Sequence, residues 1–598
     1  MFDLEARYAG ALQRVAPRHQ ASARNLLHYL AMRRADLRAL QHALARLGLS
    51  SLGRAEAHAM STVLATRHAV RRLIADMPSM TGGSAPCDLL SSSELLAANT
   101  RALFGAPPAD RTAHIMVTMG SEAASDSMVV HRLLESGMTC MRINCAHDNA
   151  EAWSKMIEHL RKATAALNRP CTILMDLGGP KLRTGPIAAG AAVKKVKPQR
   201  DAYGRVVAPV RLWLTGRHSR ARPPTDADAT LHVSQRWLEA LKPGDRTLFR
   251  DTRGRRRTVH IVERCAHGIW GELRRTAYLT NGLRLECHGK GRPRVKTMLS
   301  GIEKKPGFIP LQGGDSLLLV KDQEPGCASF DSAGRLLSPA RVSCTLPQVF
   351  RDVVVGARIC LDDGRVTGVV EEVSESELAV RITRTPPRGA RLKDDKGINL
   401  PDSELHLPAL TAKDHEDLKF IARHADMVGL SFANRESDVL NLIEALEACG
   451  EQRPGIILKI ETQRGFRALP AMLLTAMRYE RVGVMIARGD LAVECGYERL
   501  AEAQEEILWI CEAAHCPTIW ATQVLETLAK EGIPSRAEIT DAAMGNRAEC
   551  VMLNKGPHIH QALIVLGDIL KRMDTHQAKK SAMLRALQLA VGFDLQPE

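Results

Sequence analysis

The sequence predicts an α/β protein, namely a (β/α)8 TIM barrel with an inserted β-rich domain and an N-terminal helical domain. Three observations lead to this fold class. Eight short apolar runs alternate with helical stretches, roughly 240 residues interrupt that alternation after the third run, and residues 1–105 carry helical periodicity with little strand signal. The chain has 598 residues, which is too long for one hydrophobic core and therefore indicates several domains.

The N-terminal helical domain is predicted to span residues 1–105. Its stretch RNLLHYLAMRRADLRALQHALARLGL places leucines three and four positions apart, which gives an apolar helix face. The remaining surface is rich in arginine. Basic, solvated helix faces are common, so they are weak evidence for nucleic acid, and binding of a partner by this domain is left as an open hypothesis.

The barrel is predicted to occupy residues 106–185 and 400–598, with C-terminal helices at its end. Reactive groups of such barrels lie at the carboxyl ends of the strands, and polar residues such as Asp176 and Lys459 occur there. The eight predicted strands are HIMVT (114–118), CMRIN (140–144), CTILMD (171–176), DMVGLS (426–431), IILKIE (456–461), VGVMIA (482–487), PTIWAT (517–522) and CVMLN (550–554).

Residues 186–399 are predicted to form the inserted β domain, because they contain hairpin-like pieces rich in Arg, Gly and alternating hydrophobic residues. Two segments resemble each other: LKPGDRTLFRDTRGRRRTVHIVE near 241–263 and VVVGARICLDDGRVTGVVEEV near 353–373. Both place Gly, a short strand, Asp, Gly and a second strand in that order. The insert is therefore interpreted as a possible duplication, with halves at about 190–310 and 311–399.

Composition narrows the class of partner and the compartment. Lys and Arg exceed Asp and Glu by 15, which favours anionic partners such as phosphates, nucleotides or nucleic acid, and the charge alone does not choose among them. Nucleic acid is the least favoured, because basic faces of this kind are commonly just solvated. The 14 cysteines are scattered singly, which indicates reduced core residues rather than disulfides or zinc ligands. No apolar run approaches the length of a membrane helix, so we expect a cytoplasmic protein.

Two strand ends carry the residues most suited to chemistry. In ILKIETQRG, Lys459 and Glu461 lie two positions apart on a strand and so share one face. A lysine there can stabilise an oxyanion while the carboxylate holds a metal; the alternative is a buried ion pair. In IARGDLAVE, Gly489 allows close backbone approach and Asp490 adds a second carboxylate, so Glu461 and Asp490 together suit Mg²⁺ or Mn²⁺.

Other strand ends add a hydroxyl and several bases. Thr522 could bind a substrate carboxylate or relay a proton, although a lone threonine at such a position is more often a helix N-cap. MRINCAHDN supplies Arg142 and His147, and MDLGGPKLRTG supplies Lys181 and Arg183 after a glycine-rich turn. Convergence of these cations with two acids would suit a phosphoryl group.

These motifs together resemble the pyruvate kinase family. RINCAHD resembles its R-L-N-F-S-H-G, MDLGGPKLRTG its L-D-T-K-G-P-E-I-R-T-G, and GINLPDSELHLPALTAKDHEDLKF the linker that follows its G-V-N-L-P. LKIET, MIARGDLAVE and IWATQVLET resemble S-K-I-E-N, M-V-A-R-G-D-L-G and C-A-T-Q-M-L-E. The six blocks follow the family order, from about residue 113 to 185 and from 395 to 555.

The resemblance implies a barrel with a β lid and transfer of a phosphoryl group between phosphoenolpyruvate and ADP, giving pyruvate and ATP. By matching positions, it implies that Lys459, Thr522 and Arg142 are catalytic and that Glu461 and Asp490 bind Mg²⁺. The positions that it implies for substrate are Arg142, Arg183, Lys459, Gly489, Asp490 and Thr522. Those that it implies for the nucleotide are His147, Arg183 and Lys396, with Asp363 as a further lid position.

The sequence departs from the family at the monovalent-cation site. Asn144 and Asp176 match the family, and Leu177 offers the backbone carbonyl of a replaced Thr, but Ala146 stands in place of a Ser. The acid of G-P-E is Lys181, whose ammonium repels a bound cation. We therefore expect that Lys181 substitutes for K⁺ and that K⁺ is not required.

Three further departures concern larger segments. After the eighth run, Asn554 to His558 replace the family's S-G-E-T-A; the lid is about twice its usual size; and only about thirty residues follow the last predicted barrel helix, so no C-terminal regulatory domain is expected. Family members usually form tetramers, and a homo-oligomer is therefore possible here.

The favoured function is a pyruvate-kinase-like phosphotransferase. Two alternatives stay open: a Mg²⁺-dependent enolate lyase or aldolase on the same barrel, and a metabolite-binding regulatory paralogue that has lost its catalytic rate.

Overall fold

The computed structural model describes residues 1–34, 37–49, 52–74, 86–219, 221–288, 295–328, 338–450, 453–574, 577–578 and 581–582. The chain divides into two compact units. The first unit comprises Met1–Arg183, Leu346–Arg384 and Gly397–Glu598, and the second comprises Thr184–Thr345 and Thr385–Lys396. The predicted C-terminal helices beyond Asp574 lie mostly outside the described residues.

The strands, in chain order, are β1 (His114–Thr118), β2 (Cys140–Asn144), β3 (Thr172–Asp176), β4 (Val193–Val196), β5 (Gln199–Arg200), β6 (Val206–Ala208), β7 (Val210–Gly216), β8 (Ala229–Val233), β9 (Arg246–Arg250), β10 (Arg256–Cys265), β11 (Gly268–Leu273), β12 (Ala277–Thr280), β13 (Arg284–His288), β14 (Val295–Met298), β15 (Ile309–Leu311), β16 (Ser316–Val320), β17 (Ala340–Ser343), β18 (Arg358–Leu361), β19 (Val366–Val373), β20 (Glu377–Arg384), β21 (Ala390–Leu392), β22 (Ile398–Asn399), β23 (Met427–Leu430), β24 (Gly455–Ile460), β25 (Val482–Ala487), β26 (Thr518–Ala521), β27 (Cys550–Leu553), β28 (Gln577–Ala578) and β29 (Ser581–Ala582).

The α-helices are α1 (Phe2–Arg7), α2 (Ala9–Gln13), α3 (Gln20–Arg33), α4 (Arg38–Arg46), α5 (Ala59–Leu73), α6 (Leu89–Phe104), α7 (Ser127–Glu135), α8 (Ala150–Leu167), α9 (Gln235–Ala240), α10 (Ala412–His424), α11 (Glu436–Ala448), α12 (Gln463–Ala476), α13 (Arg488–Cys495), α14 (Leu500–Ala513), α15 (Glu526–Glu531), α16 (Arg536–Met544) and α17 (Ile559–Asp574). The side chains of Asn149 and Ser535 cap α8 and α16 at their N-termini.

The strands β1, β2, β3, β23, β24, β25, β26 and β27 close into a barrel in that order. Neighbouring strands are parallel, as the pairing of Asn144 with Asp176 between β2 and β3 illustrates. Nearly every strand residue is buried, as expected of parallel strands covered on both faces, and this explains why the sequence showed continuous apolar runs rather than alternation. The prediction of an eight-stranded α/β barrel is confirmed.

The amino-terminal end of the barrel is filled by the end of α6. Leu103 and Phe104 are buried in a cluster with barrel residues such as Met116 and Ile457. A side chain at Gly455 or Gly483 would meet Leu103, because a Cβ atom there would lie 2.6 or 2.7 Å from a Leu103 methyl carbon. These two strand glycines therefore make room for α6.

Helix α3 packs on the outside of the barrel against α14, and the prediction of helices in the N-terminal region is confirmed. Asn25 of α3 donates hydrogen bonds of 2.8 Å to the carbonyl oxygens of Ala513 and Glu56. His515, which is fully buried, contacts the Ser22 hydroxyl at 3.0 Å through Nδ1. These contacts join the helices of this segment to α14 and to the loop that follows it.

Two β-rich parts account for most of the insert. In the first unit, β18 lies between β19 and β22, and β19 also pairs with β20, all antiparallel. The second unit contains a seven-stranded sheet in the order β14-β13-β9-β10-β11-β7-β8, in which only the β7–β8 pair is parallel. The two similar sequence segments both form antiparallel hairpins, β9–β10 and β18–β19.

No helix within the described ranges is both long and apolar enough to cross a membrane.

Candidate active site

A buried ion-pair cluster lies at the carboxyl ends of β2, β3 and β24. Arg142 donates to one carboxylate oxygen of Asp176 from Nε at 2.8 Å and from Nη2 at 2.6 Å. Its Nη1 donates to the Thr118 hydroxyl at 3.0 Å. Because Arg142 and Asp176 project from neighbouring strands, the barrel itself fixes this pair.

Lys459 joins the same cluster from β24. Its Nζ donates to the Ser431 hydroxyl at 2.6 Å and lies 3.1 Å from Glu461 Oε1 and 3.3 Å from Asp176 Oδ2. Burial alone would lower the pKa of Lys459, but Asp176 and Glu461 raise it above its ordinary value. Lys459 is therefore a buried lysine that stays charged.

Asp176 is completely buried, and one of its carboxylate oxygens accepts no hydrogen bond from the described residues. Burial would raise the pKa of Asp176, but Arg142 and Lys459 hold it below its ordinary value. Arg142 and Lys459 both contact Oδ2, whereas Oδ1 has no hydrogen-bond partner among the residues that the structure describes. A Cβ atom on Gly429 would lie 2.1 Å from Oδ1, so only glycine fits beside it.

The predicted monovalent-cation ligands are partly engaged within the protein. Asn144 Oδ1 accepts a hydrogen bond of 3.1 Å from the Ala146 amide, and the Leu177 carbonyl accepts one of 2.7 Å from the Ser431 hydroxyl. Lys181, which the sequence places near these residues, donates instead to both carboxylate oxygens of Asp490, at 3.0 and 2.9 Å. The Lys181 ammonium thus forms an ion pair with Asp490, one of the two predicted divalent-metal ligands.

The two predicted divalent-metal ligands are Glu461 and Asp490, and the carboxylate of each forms an ion pair with a lysine ammonium. Glu461 Oε1 faces Lys459, and its Oε2 accepts a hydrogen bond of 3.0 Å from the Phe432 amide. Asp490 is paired with Lys181. Carboxylates from the ends of adjacent strands are a donor set that suits Mg²⁺, so the residues fit this ion, provided that Lys181 leaves Asp490.

Described residues contain no group of three or more His, Cys, Asp or Glu side chains that could hold a metal ion. A divalent ion at Glu461 and Asp490 would therefore need further oxygen ligands from water or substrate, as is usual for Mg²⁺.

Thr522 follows β26 in a strained segment. Its backbone has φ of +64°, and Gln523 and Leu525 also have positive φ. Its hydroxyl accepts a hydrogen bond of 2.9 Å from the Gly489 amide, whereas α15 begins only at Glu526. Thr522 is therefore not a helix N-cap, and its left-handed backbone is the kind of strain found at functional sites.

Arg488 holds this segment in place. Its Nε donates to the Ala521 carbonyl at 2.8 Å, and its guanidinium also bonds to Asp541 and lies 4.6 Å from the Trp520 ring. Arg488 thus fixes the loop that presents Thr522 rather than offering a free cation.

The three residues predicted to contact the nucleotide each have local contacts in the structure. His147 contributes its backbone to a turn with Asn144 and accepts a hydrogen bond from Trp153 Nε1 through its carbonyl. Arg183 ends its part of the first unit and forms an isolated bridge with Gly397. Lys396 lies in the second unit, where its amide bonds to the Thr184 hydroxyl.

Sequence reasoning missed three residues that belong to the site. Ser431 links Lys459 to the Leu177 carbonyl, and Thr118 supports Arg142. The signal for both was available, because each ends or follows an apolar strand run. Glu494, on α13, had no such signal.

Glu494 is a buried carboxyl group close to this site. It accepts a hydrogen bond of 3.0 Å from Asn399 Nδ2. Burial raises its pKa from 4.5 to about 7, the Asn399 hydrogen bond opposes that rise, and the charge on Asp490 adds to it. A carboxyl group with this pKa changes charge near neutral pH.

Comparison with known proteins identifies the family. The barrel-domain model of pyruvate kinase matches residues 110–203 and 308–557, together more than half of the chain. The chain is 35% identical over 238 residues to pyruvate kinases of Geobacillus stearothermophilus and Bacillus licheniformis. It is 32% identical over 242 residues to the pyruvate kinase of Staphylococcus aureus strain USA300.

Each of these three matches covers 40% of this chain and 38% of the relative. The chain therefore aligns with well under half of the length of these curated relatives. The barrel, its ordered strand-end motifs and the family-model match agree, and the chain belongs to the pyruvate kinase family.

Proposed function

We propose that the chain is a Mg²⁺-dependent phosphotransferase that moves a phosphoryl group between phosphoenolpyruvate and ADP, giving pyruvate and ATP. The observation that carries the proposal is the position of Lys459. Its charged ammonium lies within 3.3 Å of Ser431, Glu461 and Asp176 at the reactive end of a barrel of this family.

The reaction needs positive charge at two places. When the phosphoryl group leaves phosphoenolpyruvate for the terminal phosphate of ADP, the substrate becomes the enolate of pyruvate. The phosphoryl oxygens and the enolate oxygen both need fixed cations in a site of low dielectric. Lys459 supplies one, and its raised pKa suits a permanent cation better than a proton donor. Arg142 and Arg183 are proposed to bind the substrate phosphate.

The second half of the reaction is protonation of the enolate at its methylene carbon. Thr522 is proposed to stand beside that carbon and to relay the proton. Its hydroxyl already accepts a hydrogen bond from the Gly489 amide, so its own hydrogen is directed elsewhere. The strained loop held by Arg488 supports the hydroxyl in this orientation.

Glu461 and Asp490 are proposed to hold the divalent ion, which would neutralise phosphate charge during transfer. His147, Arg183 and Lys396 are proposed to contact the nucleotide. Lys181 must then release Asp490, and its ammonium can serve as the tethered cation that replaces K⁺.

We expect no requirement for K⁺. Turnover should be about the same in sodium, potassium or tetramethylammonium salts, because Lys181 supplies the charge. Lys181→Glu should restore a dependence on K⁺, measured as initial rate against K⁺ concentration. A strong K⁺ requirement of the unmodified protein would contradict this role of Lys181.

The function is tested by a coupled pyruvate assay with phosphoenolpyruvate, ADP and Mg²⁺. Lys459→Met should lower kcat by at least about 10²-fold, the scale of losing a group that stabilises a developing oxyanion. Lys419→Met is the matched control, since Lys419 is exposed on α10, and it should leave the rate unchanged. Equal rates of the two variants would reject the proposal.

Dependence on ADP separates the other candidate functions. A lyase or aldolase would change the carbon skeleton of its substrate without ADP. A regulatory paralogue would bind phosphoenolpyruvate and Mn²⁺ and release no pyruvate.

A further inference from the structure

The positive charge of the chain is concentrated in one segment. Residues 204–307, which lie between the two stretches matched by the family model, contain 23 Lys and Arg against 9 Asp and Glu. This excess of 14 accounts for nearly all of the chain's net charge of +15. Residues 1–105 carry a smaller excess, 13 Lys and Arg against 7 Asp and Glu, and the barrel segments 106–185 and 400–598 are acidic, with 30 Lys and Arg against 37 Asp and Glu. The strongest positive charge therefore lies in the second unit.

The cations lie on a defined face of the seven-stranded sheet. Along β9, exposed and buried residues alternate, so that Arg246, Leu248 and Arg250 point away from the core while Thr247 and Phe249 point into it. On β10, Arg256 lies on the same outer face as Arg250. We call this surface of β9, β10, β13 and β14 the basic face.

The strand register places like charges directly opposite each other. Arg250 is paired with Arg256 across β9 and β10. Like charges at paired positions destabilise a sheet. Within the described ranges, Arg246, Arg250 and Arg256 have no carboxylate within ion-pair distance, and Arg250 donates only to the Gly254 carbonyl. An anion bound across the two strands would relieve this repulsion.

The next two strands extend the face. Arg284 on β13 and Lys296 on β14 share one acid, Glu286, at 3.4 and 3.5 Å. Because one carboxylate cannot neutralise two bases, this part also keeps a positive charge. Four strands span about 14 Å, and Arg246 and Arg250, four residues apart on β9, are about 13 Å apart along the strand. Such a flat, repeated arrangement suits an extended chain of anions better than a single small anion.

The residue type favours phosphate over carboxylate-rich partners. Of the 23 bases in residues 204–307, 18 are Arg and 5 are Lys. The guanidinium group binds phosphate through paired hydrogen bonds and stacks on planar rings, which an ammonium cannot do. Leu248 and Met298 are exposed between these cations and offer apolar contact to a base.

We propose that the basic face binds the phosphate backbone of single-stranded nucleic acid without sequence preference. The partner differs from the expectation drawn from the sequence alone, because composition could not reveal that arginines pair with arginines across β9 and β10. The proposal is independent of the proposed phosphotransfer, since the basic face lies wholly within the second unit.

The test is binding of the full chain to a fluorescent oligouridylate of about 20 nucleotides, longer than the usual site of one small β-barrel fold. Fluorescence anisotropy should show binding whose affinity falls steeply with salt. R246Q/R250Q/R256Q should weaken binding at least about tenfold and reduce the slope of log K against log salt by about 2, because up to three phosphate contacts are lost.

The matched control is R132Q/R161Q/R423Q, which removes three exposed arginines from helices around the barrel. It should bind as tightly as the unmodified chain. Equal weakening of both triple variants, an unchanged salt slope, or no binding at low salt would overturn the proposal. Stronger binding to polyglutamate or to vesicles of anionic phospholipid than to oligouridylate would also overturn it.

A second variant distinguishes loss of binding from loss of folding. Arg256→Glu places an acid opposite Arg250, so it should stabilise the hairpin while it weakens nucleic-acid binding. Thermal unfolding and anisotropy should therefore move in opposite directions. Parallel loss of stability and binding would overturn the proposal, because binding would then follow folding rather than the charge of the basic face.

Discussion

At the scale of single residues, the cluster around Lys459 combines predictable and unpredictable parts. The spacing of Lys459 and Glu461 on one strand predicted that they share a face, and their ion pair is present. Ser431 carried a strand-end signal, but its contact with Lys459 and the contact between Lys459 and Asp176 were not predictable. They depend on the closed barrel, in which β23 lies between β3 and β24. The sequence likewise offered no reason to place Lys181 on Asp490, since more than 300 residues separate them.

Glu494 gives a prediction about stability and pH. Its folded-state pKa is about 7 and its ordinary value is 4.5, so folding favours the protonated form. The resulting stability is fully present below about pH 4.5 and is lost as the pH rises through about 7. The loss should be on the order of 3 kcal/mol. Glu494→Gln should remove this part of the pH dependence in urea unfolding.

Glu498→Gln is the control for Glu494, because Glu498 is exposed just after the same helix. It should leave the pH dependence as in the unmodified chain. If Glu494→Gln also left it unchanged, the carboxyl group would not be the source of the effect.

At the scale of elements, α6 shows where sequence reasoning stops. Periodicity predicted helices in the first 105 residues, but it could not predict that Leu103 would fill the amino-terminal end of the barrel. That contact depends on Gly455 and Gly483, which start neighbouring strands far along the chain. Strand glycines that make room for another element have no signature of their own in a single sequence.

Leu103→Ala should therefore be costly. Leu103 is 1% exposed, and its truncation should leave a cavity that lowers the free energy of unfolding by about 2–5 kcal/mol. The comparison is Leu40→Ala, at a leucine that is 46% exposed on α4, which should change stability by less than about 0.5 kcal/mol. Urea unfolding of both variants measures the difference, and equal stabilities would contradict the packing of α6 in the barrel.

At the scale of the whole chain, the barrel and the insert were predicted from two different sequence signals. The barrel was predictable because parallel strands covered on both sides leave continuous apolar runs in the sequence. The insert was predictable as β-rich, but the seven-stranded sheet order was not, because it pairs β7 with β8 in parallel and places β9 beside β13. Leu346–Arg384 belongs to the first unit, although the sequence places it within the insert. This assignment depends on three-dimensional contacts, which the order of residues along the chain does not reveal.

At the scale of the whole chain, the two proposals concern different parts of the molecule. Phosphotransfer rests on the barrel, whose segments 106–185 and 400–598 hold 30 Lys and Arg against 37 Asp and Glu, whereas nucleic-acid binding rests on the basic second unit. The triple arginine variant should therefore lose nucleic-acid binding without any change in the chemistry at Lys459.

The most direct test of the phosphotransferase is the stoichiometry of its products. The purified chain, given phosphoenolpyruvate, ADP and Mg²⁺, should form pyruvate and ATP in equal amounts, as followed by ³¹P nuclear magnetic resonance and a pyruvate assay on the same sample. Neither product should form when ADP is omitted or with Lys459→Met. Pyruvate without ATP, or no product from a folded chain that binds phosphoenolpyruvate, would contradict the account.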